Sequence, residues 1–237
     1  SLLDDLLRQV EQGRLRIPLF QRGFVWKPAQ ILGLFESMNK GYPVGSLVFW
    51  DTDGALPSSG RIGPLDAPAP PASGPVSYVL DGQQRLAVLY GTLRLPPDFP
   101  NDTRQEHWQW WVYYDLRTRL FKHVPGGARE PEDMPARALL RTVDFLKEAR
   151  ALVEKLGEDD AAPLLEEAES LVQRLKSYKI PIVHVHGGNL DDATEIFRAL
   201  NTAGQALSEE EIPSSQIGRN RPPKAGPTQH EARRRRR

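Results

Sequence analysis

Apolar residues near the start of the chain recur three and four positions apart, which is the spacing of one face of an α-helix. The first set is followed by Gly13 and predicts a helix over 2–12, because glycine commonly ends helices. The second set follows Pro28 and predicts a helix that ends before Gly41. The two sets are Leu2, Leu3, Leu6, Leu7 and Val10, and then Ile31, Leu32, Phe35 and Met38.

Short apolar runs at 44–50, 76–80 and 180–185 predict buried strands. The second run leads directly into a helical pattern over 82–90, for which Gly91 is the expected end. Between the first two runs, residues 51–75 contain six prolines, four glycines and few large apolar residues. This composition cannot build a packed layer and predicts a long mobile loop.

Two hairpins are predicted in the second half of the chain. Aromatic residues crowd 108–114, and 120–124 follows after a short polar turn, as expected for a β-hairpin whose rings belong to the core. Helical patterns at 143–156 and 162–178 flank an acidic turn and predict a helical hairpin, inserted before the last strand.

The remaining pattern predicts one more helix over 189–201, with Gly204 beyond its end. The elements together predict an α/β (α+β) fold, in which a small mixed sheet is flanked by helices. We expect one folded domain over 1–212 and a basic, low-complexity and disordered tail over 213–237.

Composition narrows the class of protein. With 237 residues, 39% of them apolar, the chain is long enough for one sizeable core. It has no cysteine, which excludes disulfides, cysteine-based zinc sites and thiol nucleophiles. No apolar run approaches the roughly 20 residues of a membrane span, and the N-terminus lacks the pattern of a signal peptide. We therefore expect a cytoplasmic protein without a membrane partner.

The net charge of zero conceals an asymmetry. Residues 213–237 carry eight Lys or Arg and one Glu, a net charge of +7, which leaves −7 for the rest of the chain. The acidic body argues against broad DNA binding by the domain itself, whereas the run 233–237 of five arginines can contact nucleic-acid phosphates.

The most informative segment is the junction of strand and helix around Asp81-Gly82-Gln83-Gln84-Arg85. Free backbone N–H groups and the positive end of the helix dipole make a helix N-terminus an anion site, and an arginine one turn into the helix suits phosphate. The alternative is a plain helix cap, because Asp81 and Gln84 have the spacing of a capping box.

A second polar pair, Gln21-Arg22, interrupts an apolar stretch ahead of Trp26. Taken alone, it indicates an arginine that forms a salt bridge at a strand end. Taken with the junction, it predicts that Arg22 and Arg85 converge on one anion, because the planar guanidinium binds two phosphate oxygens at once.

The carboxylate of Asp81 conflicts with an anion at the same place unless a cation lies between them. Mg²⁺, held by this carboxylate and by the phosphates of a substrate, would resolve the conflict. Gln83 or Gln84 is a candidate for positioning a water molecule. No Walker motif is present, so a P-loop NTPase is excluded. His184 and His186 lie on one side of a strand, and we expect structural or surface roles for them.

Four blocks resemble the domain-of-unknown-function 262 family, the N-terminal domain of GmrSD-type modification-dependent restriction systems, which is distantly similar to the ParB and sulfiredoxin fold. They occur in the order of the family and span most of the chain that we expect to fold. The blocks are IPLFQRGFVW at 17–26, GYPVGS at 41–46, LDGQQRL at 80–86 and FRALNTAGQALS at 197–208.

The resemblance implies a nucleotide-handling domain of a bacterial anti-phage system, which binds or hydrolyses a nucleoside triphosphate and regulates an HNH-type nuclease domain or subunit that cuts DNA. It implies a nucleotide site in which Gln21, Arg22 and Asn201 accompany the junction. It makes Asp81, Gly82, Gln83, Gln84 and Arg85 the nucleotide motif. Together with the chemistry argued above, we expect phosphate binding from Gly82, Gln83 and Arg85 and catalysis from Asp81, Gln84 and Arg85, with Asp81 as the Mg²⁺ ligand.

The chain departs from the family pattern after Ile212, where Pro213 and the basic tail follow in place of further helices. We expect a C-terminally truncated copy of the family domain. Two alternative functions stay open: a non-catalytic module that binds or senses DNA through the same arginines, and a ParB-like nuclease domain. Nuclease activity is the least supported, because the chain has no His-Asn-His arrangement and no clear pair of carboxylates with a lysine.

Overall fold

The structure is a computed structural model that describes residues 1–53, 56–103 and 106–209, apart from the side chains of 201 and 203–209. The chain divides into two compact units, Ser1–Ala199 and Leu200–Arg237. The fold below is that of the first unit. The predicted domain boundary at 212 lies outside the described residues and stays a prediction, as does the disordered tail.

A four-stranded mixed sheet occupies the centre, in the order β1-β5-β2-β9. Strand β5 is parallel to β1 and antiparallel to β2, and β9 is parallel to β2. The strands are β1 (Leu15–Arg16), β2 (Leu47–Thr52), β3 (Arg61–Ile62), β4 (Leu65–Asp66), β5 (Val76–Asp81), β6 (Val112–Asp115), β7 (Leu120–His123), β8 (Asp133–Pro135) and β9 (Ile182–His186).

Six α-helices lie among the described residues: α1 (Leu3–Glu11), α2 (Pro28–Asn39), α3 (Gln83–Leu93), α4 (Thr142–Leu156), α5 (Glu158–Ser177) and α6 (Leu190–Glu209). The predicted α+β class with small mixed sheets is confirmed. None of the described helices combines the length and the apolar character that crossing a membrane requires.

The predicted apolar faces of the first two helices are buried as expected. Leu3, Leu6 and Phe35 are fully buried in a core that also contains strand β5 and almost the whole of helix α3. Because α3 is surrounded by protein along its length, its apolar residues do not follow a single stripe.

The boundaries of β2 and α3 differ from prediction because of the roles of two glycines. Strand β2 starts at Leu47 and not at 44, since Gly45 has φ +83°, outside the extended region. Helix α3 continues through Gly91 to Leu93. Gly91 serves close packing, because a Cβ atom there would lie 2.4 Å from Cδ of Pro64.

The segment 51–75 is more structured than its composition predicts. It contains the two-stranded hairpin β3–β4, and Ile62 within it is fully buried. Arg16 anchors the segment by donating hydrogen bonds to Oγ of Ser58 at 2.5 Å and to the carbonyl of Pro68. The expectation that this stretch cannot pack is therefore wrong, whereas its mobility stays a prediction.

The predicted aromatic hairpin is strands β6 and β7, and the structure adds β8 as a third strand. The predicted helical hairpin is α4 and α5, but α5 begins at Glu158, so the residues assigned to an acidic turn form its first helical turn. Carboxylates are favourable there because they face the positive end of the helix dipole. Glu167 of α5 accepts hydrogen bonds from Tyr114 and Arg174. Burial of the Tyr114 hydroxyl, together with its hydrogen bond to Glu167, raises the pKa of Tyr114 to about 12.

Candidate functional site

The junction between β5 and α3 depends on Gly82. This residue is the N-cap of α3 and has a left-handed backbone (φ +90°, ψ 14°). A Cβ atom at this position would lie 2.2 Å from Cδ2 of Leu47 on the neighbouring strand. Both observations require glycine, so the tight turn that starts the helix follows directly from this residue.

Among the residues that the structure describes, no side chain caps the start of α3. The predicted capping box of Asp81 and Gln84 does not form, because each side chain has a different partner. Asp81 pairs with Arg85, whose Nη2 lies 3.0 Å from Oδ2 of the carboxylate. The first N–H groups of the helix therefore point outward without a capping side chain, next to a carboxylate that an arginine neutralises.

Three glutamines connect the loop 21–25 to the junction. Gln84 accepts a hydrogen bond from N–H of Val25 at 2.9 Å and donates one to the carbonyl of Gly23 at 3.1 Å. Gln83 donates to the carbonyl of Arg22 at 2.7 Å, and Gln21 donates to the carbonyl of Val79 on β5. The two polar clusters that stand apart in the sequence thus lie side by side.

Arg85 connects the junction to a third segment, 41–46. Its Nη1 donates to the carbonyl of Val44 at 2.8 Å, and its side chain is 17% exposed. Gly45 follows with φ +83°, and a Cβ atom there would lie 2.3 Å from Nη1 of Arg85. This role of Gly45 escaped prediction from the sequence. A glycine inside an apparent strand was the available signal, since such glycines mark a close backbone approach.

Arg22 is the cation of this site that remains available to a ligand. Its side chain is exposed, and within the described part of the chain no hydrogen bond or ion pair engages its guanidinium. The salt bridge that the local sequence suggested is therefore absent there. The backbone of Arg22 is nevertheless fixed, because Gln83 holds its carbonyl.

The predicted site residue Asn201 belongs to helix α6, but its side chain lies outside the described residues, and so does that of Gln205 further along the same block. The start of α6 agrees with the sequence prediction, since Oδ1 of Asn189 accepts hydrogen bonds from the N–H groups of Asp191 and Asp192. The predicted end at 201 is wrong, because the helix continues through Gly204 to Glu209. Asn201 therefore keeps its predicted role without a structural description.

His184 and His186 lie on β9, away from the junction in sequence and on an exposed strand. Both Nδ1 atoms face Oδ2 of Asp51, at 2.7 Å and 3.3 Å. Oδ1 of the same carboxylate accepts a hydrogen bond from Ser77. Within the described ranges, no group of three or more histidine or acidic side chains has the arrangement of a metal site.

Comparison with known proteins adds two findings. The family model described as the GmrSD restriction endonuclease, N-terminal domain, matches residues 3–217 of this chain. An uncharacterized protein of Methanocaldococcus jannaschii is 32% identical over 100 residues. That similarity covers 40% of this chain and 17% of the relative, so the chain corresponds to a small part of the longer protein.

Proposed function

The chain belongs to the GmrSD restriction endonuclease N-terminal domain family, and from this membership we propose that it binds the phosphates of a nucleoside triphosphate at the start of helix α3. Membership makes the chain a component of a restriction system. The observation that supports the proposal most is the uncapped N-terminus of α3, with the exposed Arg22 held beside it.

Charge and hydrogen-bond donors both favour phosphate at the start of α3. The uncapped N–H groups and the helix dipole favour an anion at this end of the helix. The carboxylate of Asp81 opposes an anion, but Arg85 pairs with it at 3.0 Å and offsets its charge. Arg22 then provides the additional positive charge, and its planar guanidinium suits phosphate oxygens.

Asp81 also fits the Mg²⁺ that a nucleotide would bring. Its carboxylate is 44% exposed, and one of its oxygens accepts the hydrogen bond from Arg85. Mg²⁺ is usually bound by one or two carboxylates together with substrate phosphates and water, so a single carboxylate is a sufficient protein ligand. The ion would supply neutralisation of the phosphate charge, while Arg22 and the helix N-terminus orient the phosphates.

Hydrolysis and regulation are further parts of the proposal. Phosphoryl transfer requires mainly positioning and charge stabilisation, which the helix N-terminus, Arg22 and Arg85 are suited to supply. We propose that nucleotide binding or turnover controls an HNH-type nuclease domain or subunit, and that DNA is contacted through this partner or directly.

Nucleotide affinity of an Arg22 variant tests the proposal. Calorimetric titration with ATP and with GTP, each with Mg²⁺, should give binding to the wild-type chain and a Kd about 10- to 100-fold higher for Arg22→Ala. This range corresponds to the roughly 1.5–3 kcal/mol of a hydrogen bond to a charged group. Thermal unfolding should not change, because the side chain is exposed.

Arg150→Ala is the matched control, because it removes one exposed arginine on α4, which pairs with Glu154 one turn along the same helix. This variant should bind nucleotide like the wild type. A wild-type chain that binds neither nucleotide, or an Arg22→Ala chain with unchanged affinity, would contradict the proposal.

A further inference from the structure

Gln84 directs both polar atoms of its side chain toward the main chain of one loop. Its Oε1 accepts from Val25 and its Nε2 donates to Gly23, so the amide bridges two residues of the loop at once. The side chain is 9% exposed. Oε1 has a second lone pair and Nε2 a second N–H, but burial and the two bonds hold the amide against the main chain, and turning it toward a ligand would break bonds that buried polar groups need.

The neighbouring glutamines extend the same arrangement. Gln21 is anchored to β5 through the carbonyl of Val79, and Gln83 holds the carbonyl of Arg22. Side-chain amides thus hold the main chain on both sides of Arg22. Those of Gln83 and Gln84 belong to the junction, and that of Gln21 is bound to the strand that leads into it. The side chain of Arg22 stays exposed and carries the positive charge of this loop.

From this geometry we infer that Gln84 is a positioning residue, which fixes the loop 21–25 so that Arg22 is presented to phosphate at the start of α3, and that it does not touch the nucleotide. This inference rests on the proposed function. Fixing the loop before binding lowers the ordering cost that binding would otherwise incur. The role differs from the catalytic one that the sequence analysis expects for Gln84.

A double-mutant cycle distinguishes the two roles. Gln84→Met keeps the length and volume of the side chain but removes both hydrogen bonds, and it is compared with Arg22→Ala and with the double variant. If Gln84 acts through Arg22, Gln84→Met raises the nucleotide Kd several-fold in the wild-type background and less than 2-fold in the Arg22→Ala background. Equal effects in both backgrounds would show an independent contact with the nucleotide and overturn the inference.

Amide hydrogen exchange provides a readout that does not depend on nucleotide. The N–H of Val25 should exchange at least 10-fold faster in Gln84→Met, whereas Gln84→Glu, which keeps the acceptor for Val25, should leave it largely protected. Gln173→Ala, on the exposed surface of α5, is the control and should change neither exchange nor affinity. Unchanged exchange at Val25 in Gln84→Met would overturn the inference directly.

The outcomes separate the two proposals. A wild-type chain that binds no nucleotide removes the proposed function, and the positioning role falls with it even if Val25 exchange responds. If the wild type binds nucleotide but the effects of Gln84→Met and Arg22→Ala on the Kd are additive, only the positioning role is contradicted. Should Gln84→Met fail to fold, Gln84→Glu takes its place in the cycle. It loses the bond to Gly23 and adds a charge that repels phosphate in both backgrounds, so the difference between the two backgrounds still isolates the effect that passes through Arg22.

Discussion

Gly82 illustrates how a single residue determines the geometry of the site. Replacing it with alanine places a Cβ atom 2.2 Å from Leu47 and forces a left-handed backbone on a residue with a side chain. We expect Gly82→Ala to lower the free energy of unfolding by about 2–5 kcal/mol, the sum of left-handed strain and overpacking. Urea denaturation measures this loss.

Gly41→Ala is the matched control for Gly82→Ala. Gly41 has a similar left-handed backbone, with φ +71°, but nothing lies within 4 Å of the added Cβ atom. Gly41→Ala should therefore lower the free energy of unfolding only through left-handed backbone strain, by about 1–2 kcal/mol. Equal losses in the two variants would show that packing against Leu47 is not the reason for glycine at 82.

At this scale the sequence indicates which residues matter but not what they touch. Gln21, Gln83, Gln84 and Arg85 are predicted as a group, and the structure brings them together. Their partners are mostly backbone carbonyls and N–H groups, as at Val44, which every residue possesses and no sequence pattern marks. The ligand roles expected for these glutamines stay predictions, whereas the absent capping box corrects one interpretation of Asp81.

At the scale of elements, helix α3 contains a glycine that the sequence analysis expects at its end. A glycine inside a helix and a glycine at a helix end look the same in the sequence. Gly91 lies inside the helix, against Pro64 and Trp110. We expect Gly91→Ala to destabilise the chain by up to about 2 kcal/mol in thermal or urea unfolding, because overpacking of about 1–3 kcal/mol outweighs the roughly 1 kcal/mol of helix propensity that alanine adds.

Gly33→Ala should have the opposite sign. Gly33 lies on the exposed side of helix α2, and nothing is within 4 Å of an added Cβ atom. Only the propensity gain remains, so the free energy of unfolding should rise by about 0.5–1 kcal/mol. Destabilisation by both variants would show that the packing argument for α3 is incorrect.

His123 connects the aromatic hairpin to the start of α2. Its two ring nitrogens lie 3.2 Å from the carbonyl of Trp111 and 3.3 Å from that of Pro28. Burial lowers the pKa of His123 and outweighs these carbonyls, which act to raise it. Because the unfolded chain then takes up the proton more readily, this histidine contributes stability above its ordinary pKa of 6.5 that is lost as the pH falls.

The lowered pKa of His123 should be visible in how steeply the free energy of unfolding depends on pH. Between pH 7.5 and 5.5, the free energy of unfolding of the wild type should fall more steeply than that of His123→Gln, by at most about 1.4 kcal/mol per pH unit. Chemical denaturation at several pH values measures both slopes. Parallel curves for the two proteins would mean that His123 is not protonated differently in the folded and unfolded states.

Elements with strong periodicity were predictable, and elements set by tertiary packing were not. Helices α1 and α2 follow from their apolar spacing, and the end residues differ by one or two positions. Strands β3, β4 and β8 have only two or three residues each, too few for a pattern to be visible. These short strands form because they pair with or pack against other elements of the fold. The sequence alone does not reveal such tertiary contacts.

On the scale of the whole molecule, charge separates the two functions that the sequence left open. Residues 213–237 carry a net charge of +7 and the remainder −7. The proposed nucleotide site uses Arg22, Arg85 and the start of α3, all within the acidic part of the chain. A DNA role through phosphate binding would instead draw on the arginines of 233–237, since counterion release makes such binding depend on the number of cations engaged.

Deleting 233–237 should therefore leave the Kd for nucleotide unchanged and weaken any binding to duplex DNA. The slope of log affinity against log salt concentration should fall by up to roughly 4.5, or about 0.9 for each phosphate that an arginine no longer neutralises. Replacing the five arginines by lysines is the control, because it keeps the charge and should keep most of the slope. If the deletion raises the nucleotide Kd as much as Arg22→Ala does, phosphate binding depends on the tail and the proposed site at α3 is incorrect.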